Sequence, residues 1–300
     1  MSAKTVLLKA LFCGLLIFFG ELFVGRSNPQ SGRSVLGVPL SPPTVGLLNQ
    51  VESIYGQAVQ FESNPQLSDF TLAQAIQKID GTPVVQINPK MGLGLHEAQI
   101  AHELMHLLCW AEGVSLPHFI IDGDVNDDVR AAVDLLGDKG LYDQVLHAYF
   151  YPRIRNLGLD PSVPEKERIR GFLESGIWPV RAGWLRTPDL ALYYFRAVVV
   201  LKDDALARDI ATAFALHAQH DAVVMGKEMV DAVTKKPFPK PADVTPTFVR
   251  AANVAMRGHF RLSLWCVRPV RRGKIQQQIA AIAIEPVLSP VSPATTPPLS

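Results

Sequence analysis

The run Ala101-His102-Glu103-Leu104-Met105-His106 lies inside an apolar stretch, Ile100 to Trp110, and constrains the fold more than any other feature of the chain. A stretch so apolar, with no turn former, demands a buried element. Two histidines four residues apart act together only if that element is helical, where they stand about 40° apart on one face, one turn apart. Two imidazoles so placed can hold one Zn²⁺ at about 2.0–2.1 Å each. Glu103, beside the first of them, is placed to polarise a zinc-bound water and take its proton. Three ionisable groups on a greasy helix are costly to bury unless something compensates them, and a metal does. The expectation is a zinc centre with His102 and His106 as ligands and Glu103 as general base. The alternative is a pair of histidines satisfied by hydrogen bonds in a core.

A catalytic zinc takes a third protein ligand and leaves its fourth position to water. Glu112 has the spacing of the last ligand in the extended motif HExxHxxGxxH. That motif needs a glycine for a sharp turn where this chain has Cys109, and Gly113 reads instead as a helix C-cap. A second helix, Leu141–Tyr151, carries Asp143 and His147 four apart on one face, and Asp128 lies between the two segments. His147 is the preferred third ligand, with Asp143 able to support it from behind, and Asp128, Asp143 and Glu112 stay open as alternatives. The acidic stretch around Asp124-Val125-Asn126-Asp127-Asp128 has oxygens at alternate positions. It lacks the glycine and the closing acid of a calcium loop, where Val129 and Leu135 stand, so a solvated turn or helix cap is expected.

Composition narrows the partners. The formal charge of +1 over 300 residues gives no reason to expect nucleic acid, and Arg268, Arg271, Arg272 and Lys274 read as a solvated basic patch. Only three cysteines occur: Cys13, Cys109 and Cys266. They support neither a disulfide framework nor a thiolate zinc site, and Cys109 reads as a small buried hydrophobe. Lys4 and Lys9 precede an uncharged run, Ala10–Gly20, too short to span a bilayer comfortably and of the length of a signal-peptide core. Residues 1–25 are therefore expected to be a signal peptide or N-terminal anchor. That places the protein as exported or membrane-anchored in a bacterial envelope, with possible membrane association through this segment and a cytoplasmic location as the alternative.

Residues 26–43, rich in Ser, Gly and Pro, read as a linker, and 44–265 as the main domain. Within it, helices are expected at Thr44–Tyr55, Thr71–Ile79, the metal stretch, Leu141–Tyr151 (ending before Pro152), Ala191–Leu201, Leu206–His217 and Thr247–Met256. Gln57–Glu62 and Val84–Asn88 read as strands, the latter as the sheet edge that an extended substrate could join. Residues 266–300 read as a basic segment followed by a disordered tail rich in Pro, Ser and Thr.

The run Val85-Gln86-Ile87-Asn88 followed by Ala101 to Leu108 resembles the zincin metallopeptidases. More loosely, Gln57 through Leu159 is similar to uncharacterised bacterial HExxH proteins near the gluzincin branch. The resemblance implies an α+β fold: a mostly helical zincin-like domain with a small sheet beside the HExxH helix. It also implies Zn²⁺ on His102 and His106, Glu103 as general base, and a peptide or protein substrate. The gluzincin branch takes its third ligand from a Glu on a downstream helix. This chain has none between Leu141 and Pro152. Candidates for a group that steadies a developing oxyanion are Tyr142, Tyr149, Tyr193, Tyr194, His96 and His118. The function expected is zinc-dependent hydrolysis, with a zincin-shaped binding or regulatory protein of little turnover as the alternative.

Overall fold

The computed structural model describes residues 33–68, 71–89, 96–121, 125–137, 140–236 and 238–287. The expected signal peptide or anchor at 1–25 lies outside them, as does Asp124. No described helix is long and apolar enough to cross a membrane.

Two compact units are present, divided after Ser41. The described part of the first is a small hairpin, β1 (Ser34–Val35) with β2 (Val38–Pro39), turned by Leu36 and Gly37, both at positive φ. Two such residues in sequence make a turn whose twist matches that of the strands it joins. Part of the expected linker, 26–43, is therefore structured, and the helix that follows begins at Pro42.

The second unit has the α+β fold expected. Its helices are α1 (Pro42–Tyr55), α2 (Glu97–Ala111), α3 (Asp127–Leu136), α4 (Leu141–Arg155), α5 (Val163–Ser175), α6 (Arg186–Phe195), α7 (Asp204–Leu216), α8 (His220–Thr234) and α9 (Val244–Ala255). One three-stranded sheet has the order β3 (Gln60–Ser63), β5 (Pro83–Ile87), β4 (Ala73–Gln77), with β3 parallel and β4 antiparallel to the middle strand. A second has the order β6 (Ser115–Ile121), β8 (Ile275–Pro286), β7 (Phe260–Arg272).

Four expectations need correction. Thr71–Ile79 contains a strand, β4 (Ala73–Gln77), rather than a helix. Leu72, Ile76 and Ile79 have helical spacing, but pairing with β5 overrides the helix propensity of the Ala and Gln residues between them. Val84–Ile87 falls on β5, the central strand, so it is not an open edge; β4, packed against α2, is the edge nearest the histidines. The helix of Asp143 and His147 does not stop before Pro152 but runs through it to Arg155. The main domain does not end at 265: the basic segment and the residues after it, 266–286, form most of β7 and all of β8, and Ala280, Ile282 and Ile284 are buried. The short continuous apolar run Ile279 to Ile284 is the signal of a buried strand, obscured by the low-complexity sequence beside it. Residues 288–300 lie outside the described part.

Core packing fixes α2. Ile100, Ala101, Leu104, Leu107, Leu108 and Cys109 are completely or almost completely buried, and the Tyr55 hydroxyl of α1 donates to the Leu107 carbonyl at 3.0 Å. On its other side α2 packs against β4, whose small Ala73 and Ala75 permit a close approach. The turn after β4 meets the turn between β7 and β8. A Cβ on Gly81, at φ +93°, would fall 2.8 Å from the Arg272 carbonyl oxygen, and one on Gly273 would fall 2.7 Å from that of Asp80. Both turns need glycine for this approach.

Candidate metal centre

The apolar face of α2 faces the core, which leaves His102 and His106 one turn apart on the side facing α4. Their Nε2 atoms stand 3.1 Å apart. His147 of α4 brings its Nε2 to 3.3 Å from that of His106, and the three ligand atoms all lie within 4.8 Å of one another. Four ligands around a tetrahedral ion at about 2.0–2.1 Å are separated by about 3.3–3.4 Å, so the separations fit one cation between the rings.

An imidazole Nε2 has one in-plane site, a proton or a lone pair, and His106 Nε2, within reach of two other Nε2 atoms, can satisfy only one by a hydrogen bond. Without an ion the rings are satisfied if His147 donates to Asp143 and His102 to His106; a divalent ion between them would engage all three Nε2 atoms at once. The rings are also held from behind: Phe150 meets His106 edge-on at 4.9 Å and His102 at 5.4 Å, and Tyr151 stacks on His147 at 4.9 Å. Burial drives His102 well below its ordinary pKa and lowers His106 to about 4, the Asp143 charge only partly opposing it. Both are therefore neutral near pH 7, the state in which imidazole binds metal.

Asp143, one turn before His147, places Oδ1 3.2 Å from His147 Nε2 and 3.8 Å from His106 Nε2. Burial acts to raise its pKa, but the surrounding histidines outweigh it and hold the carboxyl below its usual range. Glu103 is buried beside His102, with Oε1 3.9 Å from His102 Nε2. Its Oε2 accepts the Ala75 amide N–H at 2.7 Å. Burial pushes the Glu103 carboxyl up to about 8; the Ala75 hydrogen bond opposes this, and Asp143 adds to it. A divalent cation close by would pull it back down.

That hydrogen bond follows from strand pairing. Asn88 N–H donates to the Leu72 carbonyl and Lys78 N–H to that of Thr82, each at 2.9 Å. By alternation Gln74 and Ile76 bond to β5, while Ala73, Ala75 and Gln77 turn their N–H and C=O groups to the open side. Glu103 takes one of these groups, and Arg272 donates to the Gln77 carbonyl at 3.4 Å. The open edge of β4 thus forms one wall of a cleft of about 570 Å³ that contains His102, Glu103, His106, Asp143, His147 and Tyr151.

The other candidates lie elsewhere. Glu112 caps α2 and pairs with Arg153 through two bonds of 2.6 and 2.7 Å, so it does not belong to the site. Asp128 sits in the first turn of α3 and accepts from Trp184 Nε1 at 3.2 Å; Asn126 caps that helix by accepting the Val129 N–H. Cys109 is buried in the core and unpaired, its thiol pushed up to about 12 by burial, and Cys266 is also free. Tyr142 lines the cleft, but its hydroxyl is committed to the Ser115 carbonyl at 2.5 Å. Tyr149, Tyr193, Tyr194, His96 and His118 are not among the cleft-lining residues. Sequence reasoning missed Tyr151, although Asp143, His147 and Tyr151 recur every four residues along one face of α4.

No protein-family model matches the chain, and no curated protein or solved structure matches it significantly.

Proposed function

We propose that the protein is a zinc-dependent hydrolase of zincin type, a metallopeptidase in which His102, His106 and His147 hold the ion and Glu103 is the general base. The observation that carries this reading is the convergence of three Nε2 atoms, two of their separations being 3.1 and 3.3 Å, beside a buried carboxylate. Zinc suits an imidazole set and, when bound, supplies an electrophile for a carbonyl oxygen and lowers the pKa of water to ~7. Glu103 takes the proton from the attacking water. The Ala75 N–H anchors one of its oxygens and leaves the other toward the histidines. The outward N–H and C=O groups of Ala73, and the C=O of Ala75, offer main-chain partners to an extended acyl chain lying along β4. Tyr151 adds a phenol to the cleft wall. Phe150 and the core side of α2 keep the ligand rings out of bulk water.

One observation favours a second reading, a zincin-shaped binding protein with little turnover. Asp143 Oδ1, 3.2 Å from His147 Nε2, stands at the distance of a fourth ligand, and four protein ligands make a closed, structural site. The variant Glu103→Gln separates the two. A hydrolase keeps its zinc and loses about 10²–10⁴-fold in turnover on a peptide library. A closed site keeps its zinc, and the wild type shows no turnover to lose. A purified chain that takes up less than about 0.2 zinc per molecule removes both readings.

A further inference from the structure

Beyond the metal centre the same cleft carries an excess of fixed positive charge. Its lining outside that centre includes three arginines, Arg168, Arg196 and Arg272, against one carboxylate, Glu165. Arg272 is drawn to the Gln77 carbonyl at the β4 edge. The other two share Glu165: Arg168 Nη2 donates to one of its oxygens and Arg196 Nη1 to the other. One carboxylate between two guanidiniums leaves one positive charge uncompensated.

The two arginines are built differently. After α6 the helix widens into a π-turn over Arg196–Val200, in which the Leu201 N–H donates to the Arg196 carbonyl five residues back. Such widened turns are uncommon and recur at functional sites. Arg196 opens this one. Its side chain is only 11% exposed, and its Nε donates to Gln144 Oε1 at 2.7 Å. It is pre-ordered and belongs to the fold. Arg168 has a side chain 38% exposed, and its Nε is buried with no hydrogen-bond partner. A guanidinium has five donors in a planar fork, and an unpaired edge of that fork matches a carboxylate.

The position relative to the metal follows from α4. Gln144, which anchors Arg196, and His147 are three residues apart on one helix, so their Cβ atoms stand about 5–6 Å apart. From this juxtaposition of Arg168, Arg196 and Glu165 with the histidine cluster in one cleft we infer that the protein binds substrates with a free carboxylate close to the bond cleaved, Arg168 being the residue that recognises it. The inference rests on the zinc-hydrolase reading and adds the substrate class: acyl or peptide chains that end in an anion.

The test is binding to the zinc-loaded full-length chain, read by calorimetry. The probes are acetohydroxamate, which needs only the metal, and a series of short alkyl hydroxamates ending in either a carboxylate or a carboxamide. The wild type is expected to bind the carboxylate form of at least one length about tenfold more tightly than its carboxamide twin. In Arg168→Gln that preference falls to within about twofold while the acetohydroxamate affinity is unchanged; Arg168→Lys, which keeps the charge without the fork, is intermediate. Equal affinity for the twins at every length in the wild type, or an undiminished preference in Arg168→Gln, overturns the carboxylate site and leaves the metal centre standing. Failure of every hydroxamate, acetohydroxamate included, overturns the hydrolase reading and this inference with it. Should Arg168→Gln not fold, Arg168→Lys and the wild-type comparison still decide the matter.

Discussion

Replacing His147 by Gln removes one of three imidazoles and keeps most of the side-chain volume, which matters because His147 is 8% exposed and stacked on Tyr151. Zinc binding to a full ligand set is worth roughly 10–16 kcal/mol, so one ligand in four carries about 3 kcal/mol, or about two decades of affinity. Competition against a chromophoric chelator should therefore show the zinc dissociation constant rising about 10²-fold. At saturating zinc the metal stabilises the fold in proportion to the logarithm of its affinity. In a domain of this size about 1 kcal/mol moves the melting midpoint by about 2–4 °C, so the zinc-dependent rise in the variant should be smaller by roughly 6–12 °C. Asp143→Asn is expected to cost between about 10- and 100-fold in affinity, as a group that orients a ligand does. Glu112→Gln and Asp128→Asn should leave affinity within about twofold, since one carboxylate is held by Arg153 and the other by Trp184. If His147→Gln binds zinc like the wild type, or Glu112→Gln loses as much as His147→Gln, the assignment of the third ligand is wrong.

Three further outcomes are expected. Ala75→Pro removes the N–H that anchors Glu103 without costing a ladder bond, because that N–H points away from β5; turnover should fall about tenfold or more with zinc content unchanged, and equal turnover would show the anchor idle. In the metal-free protein, His106, with its pKa lowered from 6.5 to about 4, contributes stability present above pH 6.5 and lost as pH falls through 4, whereas Glu103, raised from 4.5 to about 8, loses stability as pH rises between those values. His102 acts with His106, so urea unfolding should find greatest stability near pH 6.5, with roughly 2 kcal/mol lost by pH 8; a stability still rising from pH 6.5 to 8 would contradict the burial of Glu103. Gly81→Ala should destabilise the fold by about 1–3 kcal/mol in the same assay, because its Cβ meets the Arg272 carbonyl at 2.8 Å in a left-handed turn; a neutral effect would mean that the two turns do not touch in solution.

The legible part of this molecule is its HExxH helix and the face of α4 opposite it. Spacing alone placed His102 and His106 together, and the same period put Asp143 and His147 on one side of a second helix, because a helix repeats locally whatever surrounds it. What stayed hidden depends on pairing. Nothing within Ala73–Gln77 says that it lies at an edge: a strand's neighbours are set by distant residues, and its Ala and Gln favour helix when read alone. Pro152 was read as a terminator because its ring usually ends a helix, yet the helix runs through it to Arg155. Arg168 and Arg196 carry no motif. Their significance arises from sharing Glu165, a relation that only the packing of α5 against the π-turn creates.

Strand β6 pairs with β8 from Ser115↔Gln278 to Ile121↔Ile284, so the middle strand of the sheet and one of its neighbours are more than a hundred and fifty residues apart along the chain. A nascent polypeptide carrying every histidine of the cluster has still to wait for more than a hundred further residues before that seam can close. Until then the underside of α2, which β8 comes to cover, is left without its final layer. Loops of such length close slowly, so maturation of the histidine pocket should be late. A premature stop between His147 and β8 would yield a chain that has all three histidines and lacks the floor beneath them.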